Sequence, residues 1–447
     1  MPNDNRERLK KWLESGEARL YPLTFSQREL WETSPAPPAD VSNHICCLIN
    51  VRGLMSPEDC VASIQRVVDR QEVLRLSILP GRSGPVQLIR SQSKAVVRFR
   101  DVPVNTTPKE IEELARKTFY EPFDLVQGPL YRVEFIRRAP DDLVIVCAIH
   151  HAIADGWSLG VFVQDLTGAY IGQRTGATNG SPPVSTSYSA WGAAERAAWQ
   201  SAELEPRVAF WKSRLTGIRR LWSVPDDSNV VFVPQRLVSE LPAETATAVR
   251  ELARRNSATL FSTLLALFQI TLSRWTGEND IVVGTPVANR TRPDVRETMG
   301  YFSGIVPLRA QVERDRPFAE HLRIVHQTTV DSFANAMPFA ELVRAMGEEV
   351  SPTRNPVFQV RFALQNHPVP DVEIRGLSLK LRMRSTGTPR VDLGCEITEQ
   401  GDRLEVVWLF RENLFSRPEI EELGRLFQSV VENSCRLPER RAATLTN

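Results

Sequence analysis

The chemistry of this sequence concentrates in Ile149-His150-His151-Ala152-Ile153-Ala154-Asp155-Gly156-Trp157-Ser158. A neutral imidazole can accept a proton from an attacking amine or hydroxyl near pH 7, and such help is typically worth ~10²–10⁴-fold. Asp155 could orient a histidine, or it could be a buried structural carboxylate, which then requires a cationic partner. The structural role is the favoured one. Gly156 lets the backbone approach a reacting group closely, or simply supplies the turn. Backbone N–H groups near it, at the start of a helix, are suited to a developing oxyanion. Trp157 reads as core packing, with a place along a substrate path as the alternative. Ser158 reads as the helix cap rather than a nucleophile. No Cys or Ser shows the base-paired setting of covalent catalysis, so direct transfer is expected.

The elements around this segment position it. Leu143 to Ile149 is an unbroken, β-branched apolar run that reads as a buried strand, and a helical pattern runs from near Ser158 to about Gly172. Successive strand residues face opposite ways, so His150 and His151 cannot both aim at one cleft. The strand ends here, so alternation alone does not decide between them. Upstream, a short polar helix is expected at 5–15, and strands at 45–51, 86–90, 96–100 and 130–136. Ser56-Pro57-Glu58-Asp59 opens a helix to Leu74, and the capping box Thr107-Pro108-Lys109-Glu110 opens one to about Tyr120.

Residues 173–187, QRTGATNGSPPVSTS, are linker chemistry. They divide the chain into domains at 1–175 and 188–447. The second part is expected to carry helices at 188–216, 244–255, 260–275 and 317–334. Strands fall at 228–241, 281–283, 304–311, 356–365, 372–382, 390–398 and 403–410. A last helix runs from the box Ser416-Arg417-Pro418-Glu419 to about Cys435. Strands and helices interleave in both parts, giving a mixed α/β (α+β) fold with no fixed-period repeat.

A length of 447 residues suits two domains, and 42% hydrophobic with 24% charged residues is ordinary globular composition. The net charge of +1 gives no electrostatic case for nucleic acid or an anionic membrane. The six cysteines, Cys46, Cys47, Cys60, Cys147, Cys395 and Cys435, lack metal-ligand spacing and suggest neither a metal site nor a disulfide framework. No apolar h-region and no 18-residue apolar run occurs, so a cytoplasmic protein is expected.

His150-His151-Ala152-Ile153-Ala154-Asp155-Gly156-Trp157-Ser158 resembles the HHxxxDGWS motif of nonribosomal peptide synthetase condensation domains. Further segments resemble that family's motifs in order: Ser26-Gln27-Arg28-Glu29-Leu30-Trp31, Arg70-Gln71-Glu72-Val73-Leu74-Arg75 and Tyr188-Ser189-Ala190-Trp191. Then come Gly284-Thr285-Pro286-Val287-Ala288-Asn289-Arg290 with Met299-Gly300-Tyr301-Phe302, Pro338-Phe339, and Arg354-Asn355-Pro356-Val357-Phe358-Gln359-Val360. Together they span about residues 20 to 435. The resemblance implies two chloramphenicol-acetyltransferase-like subdomains in a V-shaped pseudo-dimer with a central tunnel. In it, donor and acceptor meet on the phosphopantetheine arms of carrier proteins, with no bound cofactor. It assigns His151 to the tunnel, leaves His150 to hold the segment, and makes Arg290 the partner of a structural Asp155. Trp157, Ser158, Gly304 and Asn355 become candidates for the tunnel wall.

Two departures stand out. Gly304-Ile305 occupies the place where the family commonly has Asn-Thr, and Arg70-Gln71 replaces Arg-His. Adenylation motifs and a carrier serine are absent from the sequence. The chain is therefore either a free-standing condensation enzyme or an excised domain, and Met1 with a natural-looking polar start favours the former. A free-standing monomer would meet its substrates in trans, a soluble small-molecule acceptor among them. The alternatives are an HHxxxDG acyltransferase that forms an ester with a soluble alcohol, and a catalytically silent carrier-binding domain. An intact histidine motif argues against the latter. A thioester is already activated, so holding the reactants in near-attack geometry, worth up to ~7–11 kcal/mol, outweighs proton transfer.

Overall fold

A computed structural model describes residues 3–33, 41–81, 84–175, 182–199, 204–224, 234–350, 355–365, 371–374, 376–384 and 391–437. The chain forms two compact units, and neither is continuous in sequence. The first comprises Met1–Ser201, Ala288–Ser303 and His367–Thr386; the second comprises Ala202–Val287, Gly304–Asn366 and Gly387–Asn447. The division expected at 175–188 therefore differs from the observed one. Residues 182–199 stay with the first unit, and two later stretches return to it.

The first unit is built on a six-stranded sheet in the order Val372–Ile374, Leu377–Arg384, His44–Arg52, Asp142–His150, Tyr131–Ala139, Val97–Asp101. All neighbours are antiparallel except Val97–Asp101, which runs parallel to Tyr131–Ala139. The histidine strand, Asp142–His150, is buried from Leu143 onward on both faces. That is why its sequence is a continuous apolar run rather than an alternation. The helices Pro57–Arg70, Pro108–Phe119 and Gly156–Arg174 belong to this unit, and most of their buried apolar residues belong to the same hydrophobic core as the strand. Pro57–Arg70 and Pro108–Phe119 open with complete capping boxes, Ser56 with Asp59 and Thr107 with Glu110.

The first of those helices stops at Arg70 rather than Leu74, because Gln71 turns extended and a short 3-10 turn, Glu72–Arg75, follows. Three further elements carried no clear periodic signal. They are the helix Phe25–Thr33 and the short strands Ala18–Pro22 and Leu76–Leu79, which flank Val86–Arg90 in a separate three-stranded sheet.

Leu377–Arg384 joins the first unit by pairing with His44–Arg52, Leu379 opposite Val51 and Leu381 opposite Ile49. Buried Leu377, Leu379 and Leu381 alternate with exposed Lys380 and Arg382, the period of two that one buried sheet face demands. Gly53, at φ 130°, makes this return possible, since a Cβ there would lie 2.1 Å from the Gly376 carbonyl oxygen.

The second unit repeats the scale with a six-stranded sheet, Gly304–Gln311, Asp280–Val287, Val360–Gln365, Leu393–Gln400, Arg403–Arg411, Pro234–Leu241. Leu260–Thr276 is buried without a break from Ser262 to Ser273, as its all-round apolarity implies. The helical stretch expected at 188–216 is two helices, Tyr188–Ala198 in the first unit and Leu204–Leu215 in the second. Parts of the expected 173–187 linker and 228–241 strand, and Arg354, lie outside the described residues. Among the described residues no helix is long and apolar enough to cross a membrane.

Candidate active site

The strand ends at His150, and His151 opens a 3-10 turn, His151–Ile153, so the two imidazoles diverge because the backbone changes conformation between them. His150 stays in the core. Its ring packs edge-on to Phe123 and lies opposite His44, its register partner, with centroids 6.0 and 6.1 Å away. Its Nδ1 accepts the Ala152 amide at 3.1 Å, so that nitrogen is unprotonated and already used.

His151 is half-buried, and its backbone is fixed from two directions. The His151 amide donates to the Asn43 carbonyl at 2.7 Å, and the Gln27 side-chain amide donates to the Ala152 carbonyl at 2.9 Å. Its ring rests against Tyr301 at a centroid distance of 4.3 Å, tilted by 60°.

Asp155 is 1% exposed and caps the helix Gly156–Arg174, its Oδ1 accepting the Ser158 amide at 2.9 Å. Ser158 is therefore not the cap that the sequence suggested. It is fully buried and acts as a hub: Arg290 Nη2 and the Gly300 amide each donate to its hydroxyl at 3.1 Å, and that hydroxyl lies 2.8 Å from Asp155 Oδ1 and 3.0 Å from the Gly300 carbonyl.

Arg290 meets Asp155 with Nη2 to Oδ1 at 3.1 Å, both side chains 1% exposed. Its other terminal nitrogen donates to the Val295 and Thr298 carbonyls at 2.8 and 2.7 Å, and the guanidinium lies 3.9 Å from the Phe302 ring centroid. Burial pulls the Arg290 guanidinium below its ordinary range, while Asp155 beside it opposes the shift. The Phe302 amide and the Ser303 hydroxyl complete Asp155 through Oδ2, at 3.2 and 3.3 Å. The helix cap, the ion pair and the 300–303 turn thus share one carboxylate.

Gly156 takes the first helical position and is half-buried, leaving an amide at the positive end of that helix. The Trp157 indole donates to the Arg296 carbonyl at 2.9 Å, which anchors it to the same segment as Arg290. Gly304 and Asn355 belong to the other unit. Gly304 opens a strand opposite Val287, and the Asn355 side chain accepts the Val357 and Phe358 amides at 3.0 Å, an Asx-turn that uses its oxygen. Among the described residues no cluster of His, Cys, Asp and Glu is arranged to hold a metal ion. Residue-by-residue reading passed over Gln27, Asn43, Tyr301 and Ser303 as individuals. Gln27, Tyr301 and Ser303 lie inside or beside motif segments, but nothing in their types announces contact with the histidine turn.

The Condensation domain family matches residues 17–447. The phosphinothricin tripeptide synthetase PhsC of Streptomyces viridochromogenes is 31% identical over 420 residues, which cover 90% of this chain and 38% of PhsC. A linear gramicidin synthase of Brevibacillus parabrevis is 30% identical over 446 residues, covering 96% of this chain and 8% of that protein. The chain thus spans less than half the length of either relative. The condensation domain of the monacolin K polyketide synthase MokA superposes with a TM-score of 0.82 at 18% identity, covering 95% of this chain and 99% of that one, a likeness of fold alone. The mixed α/β fold, the ordered motifs and the match over nearly the full length agree: the chain belongs to the condensation-domain family, the amide-forming acyltransferases of nonribosomal peptide synthesis.

Proposed function

We propose that this chain joins an acyl or aminoacyl thioester, carried on the phosphopantetheine arm of one carrier protein, to an amine presented by a second carrier or by a soluble small molecule. It acts as a monomer and holds no cofactor of its own. His151 takes the proton of the attacking amine, or hydrogen-bonds it, as the tetrahedral centre forms. The Gly156 amide, at the positive end of its helix, faces the charge that develops on the thioester oxygen. His150 and Asp155 hold the turn, and the thiolate leaves as its carrier's phosphopantetheine.

One observation carries this reading: of the three titratable groups in the motif, only His151 is partly exposed, while His150 and Asp155 are buried and tied to their own backbone turns. Direct transfer is supported by the cysteines, whose burial pushes the Cys60 and Cys435 thiols up to about 12, far from a thiolate at neutral pH. Mass spectrometry of products formed from carrier-loaded aminoacyl donors and amine acceptors tests it. His151→Ala should remain folded and lose product by ~10²-fold or more. Unaltered turnover would remove His151 from the mechanism.

A further inference from the structure

Fixing the backbone of a histidine leaves two side-chain torsions to settle, and a base that samples several rotamers spends little time aligned with its substrate. In this chain one wall of the His151 ring is Tyr301, at 4.3 Å. Tyr301 lies in a stretch, Ala288–Ser303, that forms no strand and only a short 3-10 turn, so no β ladder fixes its position.

On either side of it Gly300 is tied to Ser158 and Phe302 to Asp155, and a buried hydroxyl holds Tyr301 itself. Tyr188 is completely buried, and its hydroxyl donates to the Tyr301 carbonyl at 2.9 Å. With that proton committed, Thr24 donates in turn to the Tyr188 oxygen, also at 2.9 Å. Thr24 accepts the Gln27 amide at 3.2 Å, and Gln27 reaches back to the Ala152 carbonyl at 2.9 Å. The contacts therefore close on themselves: His151, Tyr301, Tyr188, Thr24, Gln27, Ala152, and His151 again. Packing reinforces the circuit. The Tyr188 ring stacks on Trp191 and meets Phe302 edge-on, at 5.5 and 5.2 Å. Gly300 allows that approach, since a Cβ there would lie 2.2 Å from the Tyr188 ring.

We infer that Tyr301 is a positioning residue that sets the side-chain orientation of His151, and that the Tyr188 hydroxyl sets Tyr301. The inference rests on His151 as the proton acceptor, and it concerns a residue outside the histidine motif. The ring makes the contact with His151, so phenylalanine should substitute and an aliphatic chain of similar bulk should not. An aromatic contact of this kind is worth ~0.5–1.5 kcal/mol, which corresponds to roughly 2- to 12-fold in the population of the aligned rotamer.

The test is ring NMR of the full chain with labelled histidine, His151 being identified by the signal lost in His151→Ala. In the wild type the His151 ring signals should be displaced by the Tyr301 ring. Tyr301→Phe should retain that displacement and the turnover. Tyr301→Leu should abolish the displacement and lower kcat roughly 2- to 12-fold at unchanged KM, with far-UV circular dichroism confirming the fold. Tyr188→Phe should shift the same signals part of the way. His151 signals in Tyr301→Leu that match the wild type, or that move while kcat does not, would overturn the inference. Failure of His151 itself as the base would appear separately, as full turnover in His151→Ala.

Discussion

Each unit buries an aspartate against an arginine, and the two pairs are built from different materials. In the second unit Asp392 precedes the strand Leu393–Gln400, and Arg411 ends the neighbouring antiparallel strand; Nη1 meets Oδ1 at 2.8 Å. The Arg411 amide donates to the Asp392 carbonyl, the Trp222 indole and Gln359 amide donate to the other carboxylate oxygen at 2.9 and 3.1 Å, and the two side chains are 8% and 9% exposed. The β ladder already holds these residues together. In the first unit Asp155 and Arg290 are 135 residues apart, at 1% exposure each, and Arg290 sits on a stretch with no strand pairing. One pair reinforces a register, and the other creates a junction. Neither the charge pair nor its burial makes a site. What distinguishes the first unit is that its pair also caps the helix following His151 and holds the turn bearing Tyr301.

Breaking the first pair should have the largest effect. Arg290→Ala leaves the Asp155 charge buried without its cation, a change of about 3–5 kcal/mol in unfolding free energy. Urea unfolding of the first unit measures it, and turnover per folded molecule should fall with it because the 3-10 turn and Tyr301 lose their anchor. An Arg290→Ala protein of unchanged stability would mean that the amide and hydroxyl donors hold Asp155 without the guanidinium, and the junction reading would fail.

The units should also part company in acid. In the second unit, burial pulls the His321 imidazole down to about 4, with Arg316 adding to the shift. An unfolded imidazole takes its proton near 6.5, so between those values the unfolded chain binds more protons and stability falls as pH falls. The loss is about 3 kcal/mol by pH 4. In the first unit, burial pushes the Glu195 carboxyl up to about 7, against the pull of the Phe25 amide and Arg196. That folded carboxyl binds its proton before an unfolded one does, so this contribution is fully present below about 4.5 and is lost as pH rises through 7. Hydrogen exchange should therefore show helix Phe318–Ala334 losing protection before helix Tyr188–Ala198 as pH drops, and His321→Leu should abolish the difference. Equal loss in both helices would place the acid sensitivity elsewhere.

How much of this could be read from sequence depends on whether the information is local. The histidine strand, the helix starts at Ser56 and Thr107 and the all-round apolar helix Leu260–Thr276 announce themselves within a dozen residues, because burial on both faces or a terminal amide leaves a local signature. Strand Leu377–Arg384 was legible as a strand but not as a member of the first sheet, since alternation names a buried face and not the partner that buries it. The exchange of roles between Asp155 and Ser158 has the same origin. Both are good capping residues three positions apart, and the choice is settled by Arg290 and Gly300, 135 and 142 residues away. The roles of Tyr301, which stands inside a motif segment, and of Asn43, which stands outside any, were not legible because they act through a ring face and a backbone carbonyl.

Smaller changes probe how much of each carboxylate's hold is ionic. Arg411→Ala should cost about 1.5–3 kcal/mol, less than Arg290→Ala, because Trp222 and Gln359 still solvate Asp392 and the ladder still fixes its place. Losses of equal size in the two arginine variants would erase the distinction between register and junction.

Ser303→Ala should have the smallest effect. It removes a neutral donor that reaches Asp155 Oδ2 only at 3.3 Å, while the Phe302 amide stays on that oxygen and the Ser26 hydroxyl still donates to the Ser303 carbonyl at 3.1 Å. The backbone turn is thus held independently of the deleted hydroxyl, and a loss of about 0.5–1 kcal/mol in urea unfolding follows. A cost approaching that of Arg290→Ala would mean that the carboxylate depends on its full set of hydrogen bonds more than on the guanidinium. Asp155 would then be a polar hub of the kind Asp392 already is, and the two pairs would differ in location rather than in kind.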